Sequence, residues 1–145
     1  MIEIKVTEHL KDLDAKFKAL PQITQKNVGE AIKYAGLLVV NTAVDKISRG
    51  PRSGRLYKRG SEMHKASDAG EYPKTDRGGL VGSIRLNYSA WTSVVGSNLE
   101  YADALENGTK FMAPRPWLRR SRDANEGAIH RLILKALRTS LDKDF

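Results

Sequence analysis

The 145-residue chain contains no cysteine. Disulfides, thiolate zinc sites, iron–sulfur clusters and a cysteine nucleophile are therefore excluded. Long apolar runs are missing too. The longest, Leu37 to Val40, has four residues, far short of the roughly 18 needed for a membrane-spanning helix. The start, Met1-Ile2-Glu3-Ile4-Lys5, has neither the basic opening nor the apolar core of a secretory signal. A soluble intracellular protein with no membrane partner is expected. Histidine is scarce: His9, His64 and His130 are far apart, and none has a second ligand three or four residues away in a motif. No metal or other cofactor is predicted. Hydrophobic residues at 40% and charged residues at 29% argue against a disordered chain. The length fits a single domain, 1–145.

What is present in excess is positive charge. Lysine and arginine number 25 against 17 acidic residues, for a net charge of +8. The excess is localised. Arg49 to Arg77 holds eight basic and four acidic residues, and Lys110 to Arg122 holds five basic and none acidic. The remainder carries 12 basic and 13 acidic residues and is nearly neutral. Such patches fit an anionic partner, nucleic acid first. They equally fit solubility or pairing with acidic faces of other subunits.

The apolar pattern divides the chain. Ile2, Ile4 and Val6 alternate with charged residues, predicting a short strand. Thr7 as N-cap and Glu8 in the first turn introduce a helix carrying Leu10, Leu13, Phe17 and Leu20 on one side, ended by Pro21. Ile23, Val28, Ile32, Ala35, Val39, Ala43 and Ile47 then form a stripe, predicting a helix over about Gln22–Ser48. At 1.5 Å per residue it spans about 40 Å, roughly the width of the domain. Arg49-Gly50-Pro51 ends it. From 51 to 79, glycines and prolines break any period, which predicts a long flexible basic loop, mobile in the isolated subunit up to about residue 75. Leu80–Ile84 reads as a helical turn or a lead into a strand. Ile84–Tyr88 and Trp91–Gly96 read as a hairpin turning at Ser89-Ala90, Asn98–Asn107 as a short helix closed by Gly108. A last helix begins near Pro116, with a stripe of Ile129, Leu132, Ile133, Ala136, Leu137 and Leu141, and Gly127 is a candidate kink. The predicted class is α+β: a small antiparallel sheet packed against two long helices, with the long basic loop attached.

Catalytic signatures are weak. Gly78-Gly79-Leu80-Val81-Gly82-Ser83 lacks the lysine of a phosphate-binding loop and fails G-x-S-x-G. Glu100, Asp103 and Glu106, spaced by three on a helix, are candidates for a shared acidic face that holds Mg²⁺ in a nuclease, or for a solvated face or an oligomer contact. A stand-alone nucleic-acid-binding module is a further alternative. Against it, the chain shows neither an aromatic stacking platform nor a recognition-helix pattern.

Three stretches are more particular. Gly70 to Leu80, running on to Ser83-Ile84, contains Tyr72-Pro73-Lys74-Thr75 and Gly78-Gly79-Leu80. Tyr101 to Thr109 reads Y-A-D-A-L-E-N-G-T. Ala113 to Leu118 reads A-P-R-P-W-L. Singly, each is turn and cap chemistry. In this order they resemble the small head–tail joining proteins of long-tailed double-stranded DNA phages, also called neck, tail-completion or minor tail proteins. The matching residues are Pro73, Gly79, Leu80, Ser83 and Ile84; Tyr101, Ala102, Glu106, Gly108 and Thr109; and Arg115, Pro116, Trp117 and Leu118. Gly54 to Glu71 is similar to a basic stretch of such proteins. The likeness covers roughly Ala31 to Leu137, and departs from the family pattern in the extra residues between Thr75 and Gly79.

The resemblance implies a structural virion protein and no enzyme. It implies a homo-oligomeric ring at the junction of capsid and tail, flanked by connector and tail proteins. Double-stranded DNA would pass through without sequence readout. In that picture Arg52, Arg55, Lys58, Arg59 and Lys65 face the DNA or a docking surface. Arg119, Arg120 and Arg122, with Arg115, are candidates to pair with Glu100, Asp103 or Glu106 of a neighbouring subunit. Glu106 and Arg115, of opposite charge, are expected to fix the segment between the last two helices.

Overall fold

The computed structural model describes residues 2–5, 10–74 and 77–141. In chain order the elements are β1 (Ile2–Lys5), α1 (Leu10–Lys18), α2 (Gln22–Arg49), β2 (Leu56–Arg59), β3 (Glu62–Lys65), α3 (Gly79–Ser83), β4 (Arg85–Tyr88), β5 (Ser93–Ser97), α4 (Glu100–Asn107) and α5 (Leu118–Leu141). The fold is α+β, with two long helices against a small antiparallel sheet. The expected caps Thr7 and Glu8 lie outside the described residues.

The apolar stripe of α2 makes it the spine. Val28, Ala31, Ile32, Ala35, Val39, Ala43 and Ile47 are all buried. Each larger member contributes about 1.5–3 kcal/mol on leaving water. The entry to α2 is tied back to α1: the Gln25 side-chain amide donates to the Leu20 carbonyl at 2.7 Å and to Lys18 at 3.3 Å. These bonds serve carbonyls that the end of α1 leaves unpaired.

Helix α5 packs antiparallel along α2. Near one end of the seam the Asn27 amide donates to Ser140 Oγ at 2.9 Å. Farther along, the Asn125 amide donates to Thr42 Oγ1 at 2.7 Å. The two pairs are 15 residues apart on both helices, about 22 Å of matched length. Gly127 does not interrupt α5, which runs unbroken from Leu118 to Leu141. It lies exposed, away from the packing seam.

The main sheet has the order β1-β5-β4, antiparallel throughout. Central β5 alternates buried Ser93, Val95 and Ser97 with half-buried Val94 and Gly96. Helix α2 lies so close to it that a Cβ on Gly36 would stand 2.1 Å from Ser93 Oγ and 2.5 Å from Leu86 Cδ1. The core joins Ala35, Val39, Ala43 and Ile47 of α2 to Tyr72, Leu80, Ile84, Val95, Ala102, Trp117, Leu118 and Ile129.

Several boundaries differ from the sequence reading, among them the start of α4, at Glu100 and not Asn98. The β4–β5 turn spans 89–92, closed by Ser89 N–H to the Thr92 carbonyl, so β5 starts at Ser93. The segment 51–79 is not wholly irregular. It contains a second sheet, the β2–β3 hairpin, paired from Leu56↔Lys65 to Arg59↔Glu62 around the two-residue turn Gly60-Ser61. Gly60 has φ +64°, as a tight hairpin turn requires. The ladder continues to the root through Ala66 N–H to Arg55 and Gly54 N–H to Ala66.

Candidate functional site

The second and third sequence motifs meet where α4 hands the chain to α5. Glu106 is 3% exposed. Its Oε2 accepts from the Trp117 N–H at 2.7 Å and the Leu118 N–H at 2.8 Å, and its Oε1 accepts from the Arg119 N–H at 3.0 Å. These are N–H groups at the start of α5, which have no partner inside the helix. A carboxylate brought from another helix therefore caps α5 and sits at the positive end of its dipole. This cap is also why α5 starts at Leu118 rather than near Pro116.

Around the cap the chain is fixed on every side. The Trp117 ring is fully buried, and its Nε1 donates to the Ala102 carbonyl at 3.2 Å. Arg115 N–H donates to Leu105 at 2.7 Å. Gly108 ends α4 with φ +76° and ψ 177°, a conformation nearly reserved to glycine. A Cβ there would meet the Met112 carbonyl at 2.8 Å. Thr109 and Met112 exchange main-chain hydrogen bonds, closing a tight turn before Pro114.

The first motif joins the same region. The Gly70 N–H donates to the Pro114 carbonyl at 3.0 Å. Arg120 Nη1 donates to the Gly70 carbonyl at 2.6 Å and its guanidinium lies 5.0 Å from the centre of the Tyr72 ring. Pro73, Leu80, Ser83 and Ile84 are buried. Ser83 is satisfied by the Leu80 carbonyl and by Ser97 Oγ, both at 2.7 Å. Gly79 lies against Tyr101: a Cβ there would come within 2.7 Å of the phenol oxygen. The first motif thus joins the second and third, which lie about 20 residues or more further along the chain, in one joint.

The root of the hairpin is held by the same joint. Arg115 Nε donates to the Ser67 carbonyl at 3.2 Å. Glu71 bonds the Ser53 hydroxyl and accepts from the Asp68 N–H at 2.7 Å. The Ser53 hydrogen bond first, then the Asp68 N–H, with a smaller pull from the Arg115 charge, hold the Glu71 carboxyl below its ordinary pKa.

The five cations assigned to the loop are all exposed and belong to the arm formed by the β2–β3 hairpin or to its approach. Arg52 and Arg55 precede β2. The register places Lys58 and Lys65 on one face with Leu56 and Met63, and Arg59 on the other with Tyr57, Glu62 and His64. The Tyr57 and His64 rings stack at 5.7 Å.

No family model, curated protein or solved structure matches the chain.

Two expectations need correction. Glu100, Asp103 and Glu106 do not share a face: Glu100 and Asp103 are exposed, while Glu106 is turned inward. A step of three residues rotates a helix position by about 60°, and two such steps carry Glu106 from solvent into the core. With both oxygens engaged by main-chain donors, Glu106 is unavailable to a neighbour's arginine or to a cation. Glu106 and Arg115 both fix the joint, but not through attraction between their charges. Each binds main-chain groups instead. Of the other assigned arginines, Arg119 reaches Asn107 at 3.3 Å and Arg122 pairs with Asp123 at 2.7 Å. No group of three His, Asp or Glu side chains suited to hold a metal ion occurs among the described residues. Among them, too, no helix is long and apolar enough to cross a membrane.

Sequence reasoning missed the arm, Ser67 and the Asn125–Thr42 bond. Only the arm had a usable signal: Gly60-Ser61 between two four-residue runs is a recognised hairpin spacing.

Proposed function

We propose that this chain is a structural protein of the phage neck, joining the DNA-filled capsid to the tail as a homo-oligomeric ring. The observation that supports this reading most directly is the convergence of the three family-like motifs on one joint, where Glu106 caps α5. Their most distinctive residues work as architecture: a cap, a glycine stop, an indole anchor. That suits a protein whose task is to hold a shape. The exposed arginines at and before the hairpin, Arg52, Arg55 and Arg59, then supply what a DNA passage needs, phosphate attraction without base readout. In this reading the neighbours are connector and tail proteins, and the protein resides in the virion after assembly in the bacterial cytoplasm.

The test is genetic and structural. Phage carrying a nonsense codon in the gene for this chain is expected to accumulate filled heads and free tails. Adding the purified protein is expected to join them, with rings visible by electron microscopy at the junction. Normal virions made without the chain would refute the reading.

A further inference from the structure

The arm is unusual for an element inside a small domain. The face that carries Leu56, Lys58, Met63 and Lys65 is exposed. Leu56 is 60% and Met63 62% exposed, and they share a face with Lys58 and Lys65. A two-stranded hairpin alone is marginal in water, so an arm of this composition gains from being covered. Phosphates would reward the two lysines but not the two large apolar side chains. A protein surface that is both acidic and partly apolar rewards all four.

Such a surface exists on this chain. The outer arc of α4 presents Glu100 and Asp103, with Tyr101, which is 47% exposed, at its edge on the far side of Glu100 from Asp103, and carries no basic residue. Glu100 and Asp103 are neighbours at one helical turn, with Cβ atoms about 5–6 Å apart. Lys58 and Lys65 lie diagonally across the arm, their direct partners being Met63 and Leu56; such diagonal neighbours are about 7–8 Å apart, a difference that two long lysine side chains can span. In its own subunit the arm leaves this arc open, because both surfaces are solvent-exposed in the same chain.

We infer that the β2–β3 arm of one copy docks on the outer arc of α4 of a second copy. Lys58 and Lys65 then face Glu100 and Asp103, and Met63, one of the apolar pair on the opposite diagonal, covers Tyr101 on the Glu100 side. Donor and acceptor patches differ, so the contact is heterologous and propagates head to tail until the rotation closes a ring. The inference rests on the oligomeric reading above. It assigns this face of the arm to a neighbouring subunit instead of to DNA.

The absence of native cysteine makes the test clean. Full-length Met63→Cys protein is mixed with full-length Tyr101→Cys protein under mild oxidant, with Met63→Cys plus Thr139→Cys as control, because Thr139 is exposed on α5. The first pair is expected to cross-link at least about tenfold faster than the control, the scale by which complementary charge raises encounter rates. K58E/K65E in the Met63→Cys chain should abolish the difference. E100K/D103K in its Tyr101→Cys partner should restore it. Equal rates for the two pairs overturn the inference, as do predominant arm-to-arm links between Met63→Cys chains or a rate untouched by charge reversal. Rings that persist while the two pairs cross-link equally refute this contact and leave the neck reading standing. Selective cross-linking in a protein that phage assembly does not need would do the reverse.

Discussion

Glu106→Gln tests the joint with the least disturbance to its shape. The amide keeps one acceptor oxygen. If that oxygen stays with the Trp117 and Leu118 N–H groups, the new NH₂ faces the Arg119 N–H, donor against donor. One hydrogen bond to a charged group is lost, worth about 1.5–3 kcal/mol. The favourable placement of a negative charge at the helix start is lost too, worth about 0.3–1 kcal/mol. Together the cost is about 2–4 kcal/mol, a large part of the roughly 5–15 kcal/mol that holds a domain together. At about 2–4 °C per kcal/mol for a chain of this size, Tm should fall by roughly 4–16 °C. Urea and thermal unfolding followed by circular dichroism give both numbers. Glu100→Gln and Asp103→Asn are controls on the same helix, expected within about 0.5 kcal/mol of the parent because their side chains are exposed. If Glu106→Gln is as mild as these controls, the cap contributes nothing, and the account of why α5 starts at Leu118 is wrong.

Gly108→Ala should destabilise the fold by about 1–3 kcal/mol in the same unfolding assay, since alanine must adopt a backbone region nearly reserved to glycine. Gly36→Ala should destabilise through collision with Ser93 Oγ, an atom with no hydrogen-bond partner. Adding Ser93→Ala should recover part of the loss, a non-additivity of about 0.5–3 kcal/mol expected of touching residues. Glu71 has a depressed pKa, so its hold on the arm root is complete above the ordinary carboxylate range and is lost as pH falls through its own lower value. Amide exchange at Asp68 should therefore be faster than in neutral solution once Glu71 is protonated, after correction for intrinsic rates, and Glu71→Gln should remove the pH step. An unchanged step in that variant would contradict the assignment.

The helices were legible because burial writes a period into sequence. From Val28 to Ile47 the predicted stripe is the face of α2 that meets the core and its residues are buried, whereas its first member, Ile23, is 43% exposed. The arm left no such record. Its strands are exposed almost throughout, so no face had to be apolar and no alternation developed. Only the Gly60-Ser61 turn betrays it. The start of α5 was misplaced for another reason: its cap lies 12 positions upstream of the first helical residue, on α4. No local pattern around Pro116 can carry that information. The acidic triplet failed because spacing alone does not fix which way a helix is turned. Glu106 was correctly singled out as a residue of the joint, but the partners it finds there are backbone amides.

That choice of partner has a consequence for how the sequence can change. Every residue but proline carries the amide group, so the cap constrains Glu106 while excluding only proline at Arg119, whose side chain is exposed. The joint thereby separates two kinds of freedom. Its interior tolerates little alteration at Glu106, Gly108 or Trp117. At Arg119 the outer side of the first turn of α5 can be rewritten in charge, size or polarity while the cap stays the same, whereas Arg120 is held to Gly70 and Tyr72. A scaffold built this way can acquire a new neighbour without relearning how to fold.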